Sequence, residues 1–202
     1  MSDSPLTYLA GKVQQANVPW GLTIYRTTYT PFSDTHFAEV VDLITALAKY
    51  SVRKWKTGHP DDAAKLAAKS VLQETFEPII MNDKSEFDGM TLEAIRERHQ
   101  ALIERPVGKR SITHPWLCLL VDEEVVQVLA GADPEALIAT QDVVRDYSKY
   151  WVKAVETDTD DEDDKGWMKC SVYALWNLWD DMEGQVPMSG WEALYPDGPY
   201  CG

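Results

Sequence analysis

The chain has 202 residues, 45% of them apolar and 26% charged, and carries a formal net charge of −14. That length favours a single domain, residues 1–202, with a core large enough to fold unaided. So acidic a chain repels phosphate backbones and anionic bilayers, which argues against nucleic acid and membrane as partners, and no apolar run approaches the ~20 residues of a membrane span.

The charge is uneven. Residues 1–100 hold 13 acids and 11 bases, whereas residues 101–202 hold 20 acids and 8 bases. Three cysteines, Cys118, Cys170 and Cys201, stand far apart and outside any Cys-x-x-Cys or Cys/His cluster. This pattern predicts reduced thiols in a cytoplasmic protein without structural zinc. The opening Met-Ser-Asp-Ser-Pro-Leu lacks the basic and long apolar regions of a secretory signal, which points the same way.

Residues 1–18 show no clear period and read as a tail or a short helix around Leu6–Gln14. The run Trp20-Gly-Leu-Thr-Ile-Tyr-Arg-Thr-Thr-Tyr29 is rich in residues that suit a pleated surface and reads as the first strand. Side chains alternate, so Leu22, Ile24 and Arg26 share one face, and Thr23, Tyr25, Thr27 and Tyr29 share the other. The aliphatic face should meet covering helices. The aromatic and hydroxyl stripe is offered to a ligand, a partner or a second layer. Arg26 brings a fixed fork of donors suited to a carboxylate or phosphate, or to a structural ion pair with one of the many acids.

Pro31 and Ser33-Asp34 then signal a helix start, and Phe37, Val40, Val41, Ile44, Leu47 and Ala48 carry helical spacing to about Tyr50. Gly58-His-Pro60 breaks the chain. An Ala-rich helix follows from Asp61 to about Phe76, ended by Pro78, and Met81–Gly89 reads as a loop. Thr91 to Ile103 makes a third helix, with His99 on its apolar stripe as a packing residue. Trp116-Leu-Cys-Leu-Leu-Val121 is apolar throughout and predicts a central strand buried on both faces, so both faces of the sheet need cover, from a helical layer or a dimer partner. Asp122–Glu124 caps a short helix over Val125–Ala130, and Asp133-Pro134 starts another over Glu135–Thr140.

Tyr147–Glu156 and Gly166–Leu175 alternate as two further strands. Met168, Cys170 and Val172 lie on one side of the second, and Trp167, Lys169 and Tyr173 on the other. The acidic run Asp158–Asp164 between them lacks the glycine and closing glutamate of a calcium loop and reads as a solvated hairpin connection. Leu175, Leu178, Trp179 and Met182 suggest a closing helix, and residues 185–202 an irregular tail.

Three short motifs carry a resemblance. Trp20-Gly-x-x-Ile-Tyr-Arg-Thr-x-Tyr29, Cys118-Leu-Leu-Val-Asp-Glu-Glu124 and Gly166-Trp-Met-Lys169 together resemble an uncharacterised family of small filamentous-fungal proteins. The likeness spans most of the chain and implies no activity that can be transferred.

The order strand, helices, strand, helices, two strands, helix predicts an α+β fold. The expected form is a mainly antiparallel four-stranded sheet with helices mostly on one face, ferredoxin-like with helices inserted after the first strand. His36, His59, His99 and His114 are dispersed, and no His-Glu-x-x-His, Gly-x-Ser-x-Gly or phosphate-binding glycine loop occurs, so neither metal nor cofactor is expected. His114 could stand at the mouth of the central strand, near Arg26 if those strand ends adjoin. Two functions follow. One is a small acidic or aromatic molecule bound on the sheet's aromatic face by Tyr25, Tyr29, Trp167 and Tyr173 and anchored by Arg26. It would be held, or turned over in a cofactor-free isomerisation, cyclisation or elimination with Tyr25 or His114 as acid–base. The other is a non-enzymatic interaction protein that homodimerises through that face.

Overall fold

The computed structural model describes residues 4–55, 62–104, 111–140, 147–158, 165–183, 187–192, 194–195 and 198–202. Its centre is one five-stranded mixed sheet in the order β2-β1-β3-β4-β5. The strands are β1 (Thr23–Arg26), β2 (Ile79–Met81), β3 (Leu117–Val121), β4 (Trp151–Glu156) and β5 (Trp167–Ser171). β1 runs parallel to both β2 and β3, whereas β3, β4 and β5 pair antiparallel.

The α+β class stands, but the plan expected from sequence does not. The sheet has five strands rather than four, and half of its pairings are parallel, which is not the ferredoxin-like arrangement. The missing strand is Ile79-Ile80-Met81, short enough to pass for a loop beside Pro78. Its pairing with β1 is parallel because helices α2 (Pro31–Lys54) and α3 (Ala63–Thr75) carry the chain back to the sheet's starting end, as a parallel neighbour requires.

Local signals set the helices. α1 (Pro5–Ala16) begins with Ser4 accepting the Thr7 N–H and Pro5 in the first turn, so the N-terminal stretch is a helix from residue 5 onward. Thr30 and Pro31 start α2 in the same way. Asp122 caps α6 (Glu123–Leu129) by accepting the Val125 N–H at 3.1 Å. Leu6, Leu9, Ala10 and Val13 of α1 recur at helical spacing and are buried against the sheet's first face.

That face carries Leu22, Ile24, Leu117, Leu119, Val121, Val152, Ala154 and Cys170, covered by α1, α2, α3, α6 and α8 (Leu175–Glu183) in the main core. The second face carries Tyr25, Cys118, Leu120 and Val155 and is closed by Phe87 of α4 (Lys84–Phe87) and Ile95 of α5 (Leu92–Glu104). Helices therefore lie on both faces, and every residue of β3 is buried, as its unbroken apolar run predicts. Two short helices, α7 (Pro134–Thr140) and α9 (Met188–Glu192), complete the described elements.

The lead-in to β1 is held tightly. The Trp20 indole N–H donates to the Leu72 carbonyl at 2.7 Å. Its ring meets Phe76, Trp176 and Trp179 edge-on at 5.0, 5.6 and 5.0 Å. Next to it, a Cβ on Gly21 would stand 2.2 Å from the Glu77 carbonyl oxygen, so only glycine lets these two backbones approach. The last strand's edge is occupied by the chain's own end: Tyr200 donates to Lys169 and accepts from Ser171, both at 2.8 Å.

Candidate functional site

Of the residues singled out in the sequence, Tyr25, Tyr29 and Trp167 share the smaller cluster on the sheet's second face, whereas Tyr173 packs against the main core and His114 stands apart from Arg26. Arg26 is 6% exposed and its donors are taken by its own chain. Nε donates to the Thr28 carbonyl at 2.8 Å and Nη2 to the Ser33 hydroxyl at 2.8 Å. Nη1 reaches Asn82 Oδ1 at 3.4 Å, and Asp34 completes the set as an ion pair. The guanidinium lies over the rings of Tyr29 and Phe37, at 4.3 and 4.7 Å from their centroids. Tyr29, half-buried, donates to the Arg26 carbonyl at 3.3 Å. The corner joins β1 to the start of α2 and presents no vacant fork.

Tyr25 is 0% exposed. It sits edge-on to Phe87 at 5.7 Å and to His99 at 6.0 Å, and burial raises its phenol well above the ordinary tyrosine value. Trp167 lies three strands away across the sheet, with the Lys153 ammonium 5.1 Å from its ring. Tyr173 follows the end of β5, against Tyr147 at 5.5 Å, with burial pushing its phenol up to about 12. Tyr25, Tyr29 and Trp167 thus lie along one face under the cover of Phe87 and Ile95, and Tyr173 lies with the main core. The acidic run 159–164 lies outside the described residues.

His114 is also displaced from Arg26. Parallel pairing sets Thr23 beside Cys118 and Arg26 beside Val121, so His114, ahead of β3, stands at the opposite end of β1. There Thr113 Oγ meets Thr23 Oγ at 3.1 Å. His114 is fully buried between Trp116 and Trp179, its ring 6.0 and 4.9 Å from theirs. Its Nδ1 accepts the Trp116 backbone N–H at 3.2 Å, so the ring hydrogen sits on Nε2, which has no partner among the described residues. Its carbonyl accepts His99 Nε2–H at 3.0 Å, leaving His99 Nδ1 to accept from the Tyr25 hydroxyl at 3.5 Å. Burial holds His114 down at about 3, with His99 adding to the effect, and burial lowers His99 as well.

This end of the sheet is where space opens. A cavity of about 1140 Å³ lies between α1, α5, the segment 111–116 and the end of α8. α1 contributes Tyr8, Leu9, Lys12 and Ala16, and α5 contributes Leu102 and Ile103. The floor is Ser111, Ile112, Thr113, Pro115 and Trp116, with Trp179 and Glu183 from α8. The floor is firmly set. Ile112 donates to the Pro19 carbonyl at 2.8 Å and accepts from Gly21 N at 2.9 Å. The Trp116 carbonyl accepts from Thr157 N at 3.0 Å.

The lining is mostly apolar, with few polar groups. Lys12 and Glu183 are the charged ones, and Ser111 Oγ is buried without a hydrogen-bond partner among the described residues. Lys12 makes no ion pair among the described residues; its ammonium lies 4.2 Å over the Tyr8 ring. Such a surface can hold a flat apolar body and hydrogen-bond one polar end.

Sequence reasoning missed this cavity because its walls come from three distant segments. The usable signal was the exposed side of α1, where Tyr8, Lys12 and Gln15 recur opposite the buried leucines. Among the described residues no group of three His, Cys, Asp or Glu stands placed to hold a metal ion, and no helix is long and apolar enough to cross a membrane. No protein-family model, no curated protein and no solved structure matches this chain.

Proposed function

We propose that the protein binds a small aromatic molecule in the cavity bounded by α1, α5 and the Ser111–Trp116 segment. The observation that carries this reading is the cavity itself: about 1140 Å³, apolar in most of its lining, with a few polar groups at defined places. That character matches what small-molecule sites use, and the volume lies just above their usual range of roughly 300–1,000 Å³. Trp116 supplies flat, rigid surface, and the floor it stands on is fixed by backbone hydrogen bonds to β1's lead-in.

The function is binding rather than acid–base turnover. His114, the residue whose chemistry would serve catalysis, lies behind Trp116 and Trp179 instead of in the lining, and burial keeps it neutral. The small aromatic ligand expected from sequence is kept, but its place moves from the Arg26 end of β1 to the opposite end.

The test is a saturation-transfer NMR screen of small aromatic acids, amides and amines against the wild type and Ala16→Trp. Ala16 is exposed at the last turn of α1 and lines the cavity, so an indole there fills space without cutting the core. Compounds should bind the wild type and be lost from Ala16→Trp, with far-ultraviolet circular dichroism unchanged. Absence of any binder, or binders indifferent to the substitution, refutes the reading.

A further inference from the structure

Resting on the cavity reading above, we infer that the preferred occupant is an aromatic carboxylate, with Lys12 as its charged anchor and Ser111 as a hydrogen-bond donor from the floor. Three observations converge.

The first is the orphaned hydroxyl. Ser111 lines the cavity, and its Oγ is buried with no hydrogen-bond partner among the described residues. Buried polar atoms are nearly always paired, so one left open beside a cavity is a candidate partner for a group that enters it. The second is Lys12. Its ammonium lies over the Tyr8 ring and, among the described residues, makes no ion pair, so no acid has to be displaced for an anion to reach it. It can leave that ring for a stronger, charge-assisted bond to a carboxylate.

The third is local charge. The sequences Pro5–Ala16 and Ser111–Trp116, which form two walls, contain one ionisable side chain that is charged at neutral pH, Lys12. The acids that make the protein negative crowd residues 101–202, and salt screens charges beyond a Debye length of about 8 Å. Among the lining residues there is one cation, Lys12, and one acid, Glu183, so the site is locally balanced where the chain as a whole is strongly negative, and Lys12 is the group that can meet an anion. Glu183, at the end of α8, is the acid in the lining and works against the ligand. It sets a limit on affinity that its amide would lift.

The deciding experiment uses three matched probes on the whole protein: naphthoate, naphthamide and naphthylmethylamine, titrated by tryptophan fluorescence at neutral pH. Naphthoate should bind about tenfold more tightly than naphthamide, the size of one charge-assisted hydrogen bond. Lys12→Met should erase that preference and Lys12→Arg restore it. Ser111→Ala should weaken naphthoate about threefold, and Glu183→Gln should strengthen it. Added salt should weaken naphthoate and leave naphthamide alone. If naphthamide or the amine binds as tightly as naphthoate, and Ala16→Trp still abolishes binding, the carboxylate assignment is overturned while the cavity stands. If none of the three binds, both fall.

Discussion

Two ends of the same strand behave in opposite ways. At the C-terminal end of β1, Arg26 spends its donors on Thr28, Ser33, Asn82 and Asp34 and is sandwiched by Tyr29 and Phe37. At the N-terminal end, Ser111 and His114 carry polar atoms without a hydrogen-bond partner among the described residues, beside about 1140 Å³ of open space. Both ends contain residues that look functional by type. What separates them is saturation: a paired fork is structure, and an unpaired donor facing a cavity is capacity to bind. The comparison also shows why residue chemistry alone misplaces a site, since Arg26 was the more eye-catching of the two in sequence.

Acid should separate the two ends most strongly. The cavity floor depends on a neutral His114. In the folded protein His114 titrates at about 3 rather than 6.5. Between those values the unfolded chain binds more protons than the folded one, so stability is complete above 6.5 and falls as pH drops towards 3. His99, also lowered, adds to the fall. Asp180 opposes part of it: burial raises its carboxyl to about 6, so the folded state takes that proton first and gains as pH falls below 6. Urea midpoints between about pH 7 and about pH 4 should decline in the wild type and decline less in His114→Gln, which cannot take up a ring proton. Equal slopes in the two proteins would remove His114 from this account.

Arg26→Ala should lower stability by about 2 kcal/mol, since it strands the buried Ser33 hydroxyl and Thr28 carbonyl; Asp34, itself exposed, loses its partner at little cost. Arg26→Lys should lose part of that, because an ammonium lacks the fork. Neither should alter naphthoate affinity in the folded fraction, as measured by fluorescence titration below the unfolding transition. A clear loss of affinity there would reconnect Arg26 with binding. Tyr25→Phe should cost about 1 kcal/mol or less by urea denaturation, because its hydroxyl makes a long 3.5 Å contact to His99.

Ser111→Ala closes the series. It removes a hydroxyl without a partner among the described residues, so stability should stay within about 0.5 kcal/mol of wild type while naphthoate affinity drops. A marked loss of stability would mean that Ser111 has a structural partner, and the contrast between the two ends would blur.

The sequence carried much of the architecture. Leu117–Val121 reads as a central buried strand because five consecutive apolar residues need cover on both sides, and that is its place. The long helix after β1 announces itself through Thr30-Pro31 and through Phe37, Val40, Ile44 and Leu47. The Leu22/Ile24 side of β1 was legible as the core side, by strand alternation. β2 was not legible, since three residues offer too few alternations to be told from a loop. The sheet is mixed because β1 runs parallel to both of its neighbours, β2 and β3, a pairing sense that strand periodicity does not reveal.

What the chain's own order of residues determined, then, is which segments are helix or strand and which side of each is apolar, because those depend on neighbours a few residues away. Whether the Tyr25 ring would face solvent or lie beneath Phe87 and Ile95 was decided only when α4 and α5 folded over that face. Likewise, Lys12, Ser111 and Glu183 are widely separated along the chain and become one site only through the packing of α1, α5 and α8 around the start of β3. Periodicity is local and can be read; saturation of donors and enclosure of space are sums over distant segments, and the tertiary structure alone performs them.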